Sequence, residues 1–458
     1  IWPLEIFLLK LILSLSLSGL LCKVKQINDR FLVIYNYRYL FYFSIFESKL
    51  FQMNRYRSIN NQLFIRNRKL LSKKLEENCF AVFNSNDIMP TNADGTMPFK
   101  QNSDLFWLSG IDQEESVLIL FPGHQDKNLQ EILFVKETSS LIAIWEGEKL
   151  NKEQAKNVSG IKTVLWLSDL DKTIDSFTSL CSGVYLNKNI HSRAASKVET
   201  RDDRFRKALI SKYPTINILE IAPYMHELRS IKSKHEISLM QKACDITEKG
   251  FRRILSFIKP GIMEYEIEAE IMHEFLINKS KGFAYEPIIG SGKDSCVLHY
   301  IENNKMCKDG DILLMDFGAE YANYKSDLTR TVPVNGKFTK RQKQVYISVL
   351  KVMKEAINML RPGIFIQEYQ KEVVSLMQEE LIGLGLFSKH DIKKQDKKNP
   401  LYKKYFMHGT SHFLGLDVHD VGDFNKAIEV GMVFTCEPGI YIREEKLGIR
   451  LEDDILIS

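Results

Sequence analysis

The sequence predicts a mixed α/β (α+β) protein of two domains, and three observations carry that reading. At 458 residues the chain is longer than one hydrophobic core usually organises. Apolar content of 44% and charged content of 26% are those of an ordinary globular protein. They exclude a disordered, collagenous or multi-span membrane chain. Short β-rich runs also alternate with helix signals in the first half, while long helix-period segments followed by strand runs fill the second.

The first 52 residues stand apart. They hold 11 of the 49 aromatic residues, and the first Met is Met53. Three readings compete for them. Ile6 to Cys22 is apolar enough for a signal or anchor segment, but Lys10 interrupts it and no basic region precedes it. A small N-terminal domain would need an amphipathic period, which is absent. In-frame translation upstream of a start at Met53 fits the missing Met and the Phe/Tyr/Ile/Leu/Asn/Lys bias, and is the expectation. The net charge of +5, from 63 basic and 58 acidic residues, is too balanced for a nucleic-acid binder. Seven dispersed cysteines without a C-x-x-C pair suggest reduced thiols and a cytoplasmic protein.

From Met53 a basic helix is expected over Asn61 to Leu75. Strands follow at Phe80–Phe83, Ser116–Phe121, Glu131–Val135, Thr163–Leu167 and Val184–Leu186. A helix over Asp203 to Lys212 and a connection at Asn217–Pro223 close the first domain, residues 53–222. The second, residues 223–458, opens with a capping box, Ser233-Lys234-His235-Glu236, before an apolar-periodic run to Ile258. Tyr265 to Asn278 is a further helix. Asp311–Phe317 and Tyr324–Val334 read as a hairpin around Ala322-Asn323. Helices are expected at Lys340–Leu360 and Gln367–Leu384, and strands from Val418 onward. The lysines between Lys393 and Lys404 read as a solvated insertion loop.

The chemistry concentrates after residue 295. Asp316 ends the apolar run Ile312-Leu313-Leu314-Met315, where a carboxylate is costly to bury without a partner. Asp327 is expected on the returning strand of the hairpin, facing it. Glu437 follows the apolar strand Gly431 to Thr435, and Glu452 sits between Leu451 and a further β run. His412 adds an imidazole. Four carboxylates and one imidazole suit a pair of divalent ions such as Mn²⁺, Co²⁺ or Zn²⁺. Such a pair lowers the pKa of a bridging water and polarises a carbonyl, which is hydrolytic chemistry. His408 and His412 stand four apart, but Gly409 breaks the H-E-x-x-H pattern. His124, His191, His226, His235, His273 and His390 have no such setting.

The order and spacing of these motifs, with Gln101–Gly110, Val297–Asn303 and His408–Gly422, resemble the Xaa-Pro aminopeptidases (aminopeptidase P) of the pita-bread metallopeptidases. The resemblance covers nearly all of residues 53–458. It implies a creatinase-like N-terminal domain followed by a pita-bread catalytic domain. It implies that Asp316, Asp327, His412, Glu437 and Glu452 hold two metals, usually Mn²⁺, with Asp327 and Glu452 touching both. A bridging hydroxide would attack the first peptide carbonyl, Glu437 would relay its proton, and His299 and His419 would stabilise the oxyanion. Arg450 would organise the far side of the pocket, sharing a strand face with Glu452. His408 and Tyr441 would sit beside the proline ring. The aromatic that reaches a neighbouring subunit's site would be Phe106, with core packing an equal alternative.

The implied substrate is a peptide with proline second, and the implied assembly a homodimer or homotetramer, without nucleic acid or stable membrane association. A prolidase acting on Xaa-Pro dipeptides and a non-catalytic peptide- or protein-binding pita-bread module remain alternatives. Relatives continue past the Glu452 strand, so a truncated C-terminus is expected, or, with a native end at Ser458, a ligand strand able to fray.

Overall fold

The computed structural model describes residues 55–191 and 197–458. The expectations for residues 1–52 lie outside them. The chain divides after Ser58, and every element below belongs to the unit Ile59–Ser458.

The first half contains α1 (Gln62–Ser72), β1 (Cys79–Asn84), α2 (Ser103–Ser109), β2 (Val117–Leu120), β3 (Glu131–Val135), α3 (Ser140–Glu146), α4 (Lys152–Ser159), β4 (Thr163–Trp166), α5 (Leu170–Thr178), β5 (Gly183–Leu186), α6 (Arg201–Lys212) and β6 (Asn217–Glu220). The strands form one sheet in the order β4-β3-β2-β1-β5-β6. β1, β2 and β3 pair antiparallel, and the outer pairings are parallel. All six residues of β1 are buried. Phe80 and Val82 point to one face with Ile119, Phe134 and Phe177, while Ala81 and Phe83 point to the other with Leu118, Leu120 and Leu133. A sheet covered on both faces needs continuous apolar runs, and this explains why these strands were legible. β6 was not. Asn217–Glu220 had been expected as a connection, because its half-exposed residues carry little apolar signal at a sheet edge.

The second half follows with α7 (Ala222–Ser230), α8 (Lys234–Leu255), α9 (Glu264–Ile277), β7 (Ile288–Ser291), β8 (Ile312–Asp316), β9 (Glu320–Tyr321), β10 (Tyr324–Lys325), β11 (Thr329–Pro333), α10 (Lys340–Met359), α11 (Ile366–Gly383), α12 (Lys389–Lys394), β12 (Val433–Cys436), β13 (Gly439–Ile442), β14 (Leu447–Arg450) and β15 (Asp453–Leu456). β8 is the centre of an antiparallel sheet, β11-β8-β7, and β12 pairs β15 while β13 pairs β14. The helices α10 and α11 bury Val345, Val349, Val352, Val373 and Met377 against Phe434, Ile440 and Ile449.

Three local expectations change. The single hairpin over Asp311–Val334 is two: Ala322 and Asn323, both at positive φ (54° and 66°), turn only the short β9–β10 pair, as two-residue hairpin loops do. β8 pairs with β11 as the expected outer hairpin, with Thr329 opposite Asp316. Asp327 therefore lies in the segment leading into β11, not on a strand. Residues 418–432 contain no strand. The lysine-rich region is partly helical in α12, whose N-cap Ser388 forms a capping box with Asp391.

The capping box at α8 does more than start a helix. Ser233 N donates to Glu236 Oε2 at 2.8 Å. The other carboxylate oxygen accepts Trp107 Nε1 of α2 at 2.8 Å and the Tyr324 hydroxyl at 3.1 Å. One buried carboxylate thus caps a helix and joins the two halves, satisfied on both oxygens as burial demands. Val433, Leu414 and Leu416 extend the same core. No helix among the described residues is long and apolar enough to cross a membrane. The six described cysteines are all free.

Candidate active site and metal centre

Five chain segments deliver the candidate residues. β8 ends on Asp316. Gly318, two residues on, lies so close to the Ser326 carbonyl that no side chain fits, and this contact brings Asp327 back beside Asp316. Glu437 leaves the end of β12. Glu452 occupies the junction of β14 and β15 and bridges to Thr329. His412 lies beside β12, its N–H held by Thr435 Oγ1 at 3.2 Å.

Ligand atoms of Asp327, His412 and Glu452 lie within 4.8 Å of one another. His412 Nε2 stands 3.6 Å from Asp327 Oδ2 and 3.7 Å from Glu437 Oε1. Two donors each about 2.1 Å from one ion stand roughly 3.0–3.5 Å apart at ordinary coordination angles, so these spacings need little closing. The tautomer also fits. His412 Nδ1 donates to the Phe413 carbonyl at 3.0 Å, which leaves the Nε2 lone pair toward the carboxylates, the usual support of a metal-binding imidazole.

Electrostatics give the same answer. Burial, then the neighbouring Asp327, holds Glu452 far above the usual carboxylate range. Burial also raises Asp316, although Arg450 opposes it. Burial alone would lower His412, but Asp327 and Glu437 outweigh it and push the imidazole up to about 9. Crowded buried carboxylates that resist ionisation are a site short of positive charge. The donor set therefore fits divalent cations.

Three residues not anticipated from sequence hold this cluster. The Tyr285 hydroxyl lies within hydrogen-bond distance of Asp316 Oδ1, at 2.5 Å, and of Asp327 Oδ1. Thr329 Oγ1 donates to Glu452 Oε2 at 2.6 Å and accepts Arg450 Nε at 3.1 Å. Asp454 Oδ2 accepts the Asp327 N–H at 3.0 Å. Tyr285 and Thr329 carry no pattern a single sequence could reveal; Asp454 could have been suspected as a charge beside Glu452.

Arg450 Nη2 pairs with Asp316 Oδ2, and Arg450 Nη1 donates to the Tyr441 hydroxyl at 2.9 Å. That hydroxyl stands 2.8 Å from His408 Nε2, whose Nδ1 faces the Gly409 carbonyl at 2.8 Å. Arginine can only donate and a carbonyl only accept. The chain of bonds therefore runs from Arg450 to Tyr441 to His408 Nε2, with the proton of neutral His408 on Nδ1. Burial and the nearby Arg450 lower His408 to about 4, in keeping with that neutral form. His299 lies close enough to weigh on the His408 charge. His419 stacks edge-on against His412 at 4.4 Å between ring centres.

One substrate-binding expectation is corrected. Tyr441 is 0% exposed, so it links Arg450 to His408 from behind rather than walling a pocket. Phe106 is 1% exposed and meets Phe64 edge-on at 6.1 Å, which is the core packing held as the alternative, and it also lines a cavity with Tyr285 and Glu320. On the same half, Leu141, Ile144 and Trp145 of α3 are exposed, Trp145 by 82%. The C-terminal ligand strand is paired rather than frayed, since β15 runs antiparallel to β12 from Val433 to Leu456.

Comparison with known proteins shows the family of the chain. Residues 238–458 match the model of metallopeptidase family M24, and residues 64–185 that of the aminopeptidase P N-terminal domain. The Xaa-Pro aminopeptidase of Escherichia coli is 34% identical over 413 residues, covering 87% of this chain and 93% of that protein. Two solved structures are similar throughout. Aminopeptidase PepP of Pseudomonas aeruginosa has a TM-score of 0.80 at 29% identity, covering 87% of this chain and 93% of its own. Zinc-substituted E. coli aminopeptidase P in complex with product has a TM-score of 0.79 at 32% identity, with 88% and 94% covered.

Proposed function

The chain belongs to metallopeptidase family M24 as a metal-dependent exopeptidase of the Xaa-Pro aminopeptidase class, and from that premise we propose how its residues act. Asp316, Asp327, His412, Glu437 and Glu452 hold two divalent ions, Mn²⁺ by preference. Ions in such a site supply an acidified water and Lewis-acid polarisation of the scissile carbonyl. The observation that carries this reading is the convergence of Asp327, His412 and Glu452 within 4.8 Å, with His412 Nε2 turned to Asp327 and Glu437.

Glu437 is half-buried and serves as proton acceptor and relay through its carboxylate oxygens. His299 and His419, both exposed, donate to the oxygen on which charge develops. Neutral His408 offers an imidazole face beside the second residue of the substrate. Its orientation is fixed by Tyr441 and Arg450 behind it, so a proline ring, which brings no N–H to satisfy, finds an ordered wall. The substrate is a peptide with proline second.

The two domains divide at residues 222/223, the start of α7. The free thiols support a reducing, cytoplasmic location. The exposed Leu141, Ile144 and Trp145 supply the face that a second copy of the chain covers in a homo-oligomer.

The test is hydrolysis of Xaa-Pro-Yaa against Xaa-Pro by purified protein with Mn²⁺ added, together with a metal count. Release of the first residue from the tripeptide at about two metals per chain is expected. Cleavage of the dipeptide alone would make the protein a prolidase, and no cleavage with less than one metal would make it a binding module.

A further inference from the structure

His419 is exposed and sits in the loop 415–422, yet an oxyanion donor works only if its position is set in advance. The loop is held from below. Arg229, on α7 and 4% exposed, sends Nη2 to Asp417 Oδ2 at 2.8 Å and to Asp420 Oδ1 at 2.5 Å. Asp417 and Asp420 flank His419 on both sides. Lys232 Nζ reaches Asp420 Oδ2 at 3.2 Å, and Lys325 N donates to the Gly415 carbonyl at 2.8 Å.

The same guanidinium reaches the other half of the molecule. Arg229 Nη1 donates to Asp104 Oδ1 of α2 at 2.7 Å, and Asp104 Oδ2 in turn accepts Asn187 Nδ2 at 2.8 Å. Ser103 Oγ donates to Asp417 Oδ1 at 2.8 Å. Arg229 Nε is buried without a partner, so only the two Nη groups fix this side chain. A planar fork aims its donors at three carboxylates in one fixed geometry, which a compact ammonium on a flexible stem does not.

We propose that Arg229 is a positioning residue for His419: with Ser103 it ties the loop to α2, so the N-terminal half helps hold the oxyanion donor. This rests on the reading of His419 as that donor. Loss of a positioned donor falls on kcat rather than KM, because the contact is made in the transition state. Its ceiling is the loss of the donor itself, about 10²–10³-fold.

The experiment is a double-mutant cycle in the full chain with Mn²⁺, read as kcat and KM on an Xaa-Pro-Yaa peptide. His419→Ala should lower kcat by about 10²-fold. Arg229→Met should lower kcat by about 10-fold or more with KM nearly unchanged, and Arg229→Lys should restore part of the loss. In the His419→Ala background, Arg229→Met should cost less than about threefold further, the signature of residues acting as a unit. Ser103→Ala, which removes a single bond, should cost about two- to fivefold in the native background and nothing in His419→Ala; it decides the matter if Arg229→Met does not fold. Equal losses in both backgrounds would overturn the proposal. Unchanged kcat in His419→Ala would overturn the underlying reading of His419, a separate and recognisable failure.

Discussion

Gly318 links the two carboxylates that depend on the β8 end, and its replacement by Ala tests that link directly. A methyl group there would lie 1.7 Å from the Ser326 carbonyl oxygen, 2.6 Å from its carbon and 3.2 Å from Asp327 N. Ordinary carbon–oxygen contacts begin near about 3.3 Å, so one backbone segment must yield by about 1.6 Å. The obstructing atoms are main chain, and no rotamer relieves them. The two segments are also stitched together: Ser326 N donates to the Ala319 carbonyl at 3.2 Å, and Ala319 N to Ser326 Oγ at 3.1 Å. Overpacking costs about 1–3 kcal/mol, and two strained hydrogen bonds add about 1 kcal/mol each. The expected destabilisation is therefore about 3–5 kcal/mol, read as a lower urea midpoint at constant m. Asp327 would move with Ser326, and a displacement near 1 Å costs about 10²-fold in rate. Gly383→Ala is the control, since nothing lies within 4 Å of that position at the end of α11. It should be neutral or stabilise by up to about 1 kcal/mol. A Gly318→Ala protein with a urea midpoint and kcat close to wild type would refute the claim that this contact sets the carboxylate spacing.

Asp327→Asn keeps the side-chain shape and removes a charge from the cluster; activity should fall by at least about 100-fold while thermal unfolding stays cooperative, and undiminished kcat would make the ligand assignment wrong. Tyr285→Phe removes the hydroxyl beside Asp316 and Asp327. Metal affinity, measured by competition with a chelator, should weaken by about 10–100-fold, the usual range for groups that orient metal ligands. Trp107→Phe deletes the indole donor to buried Glu236, and denaturant unfolding should show a loss of about 1.5–3 kcal/mol, as for hydrogen bonds to charged groups; no loss would mean that Ser233 and Tyr324 alone satisfy that carboxylate.

Much of the fold is legible in the sequence where a physical signal repeats. The strands of the first sheet announce themselves because both faces are buried, and α8 because its capping box is local. The ligand set is legible as carboxylates interrupting apolar strands, and its joint meaning comes from the resemblance of motif order and spacing. Asp327 shows the limit. Its residue type and position were readable, but its support is a contact between backbones at Gly318 and Ser326, not a place on a strand. β6 escaped notice because an edge strand that buries little has no apolar period to display.

The sequence by itself therefore determined the two-part α/β architecture, the five candidate metal ligands and the chemistry their types allow. Only the tertiary structure decided which aromatic groups meet solvent, with Phe106 and Tyr441 buried and Trp145 exposed. It alone revealed Tyr285, Thr329 and Arg229 as the groups that hold the ligands and the His419 loop. The reason is physical. Residue type and local period travel along the chain, whereas the hydrogen bonds that orient a site join residues as far apart as Asp104, Arg229 and Asp420, and exist only once the halves have packed.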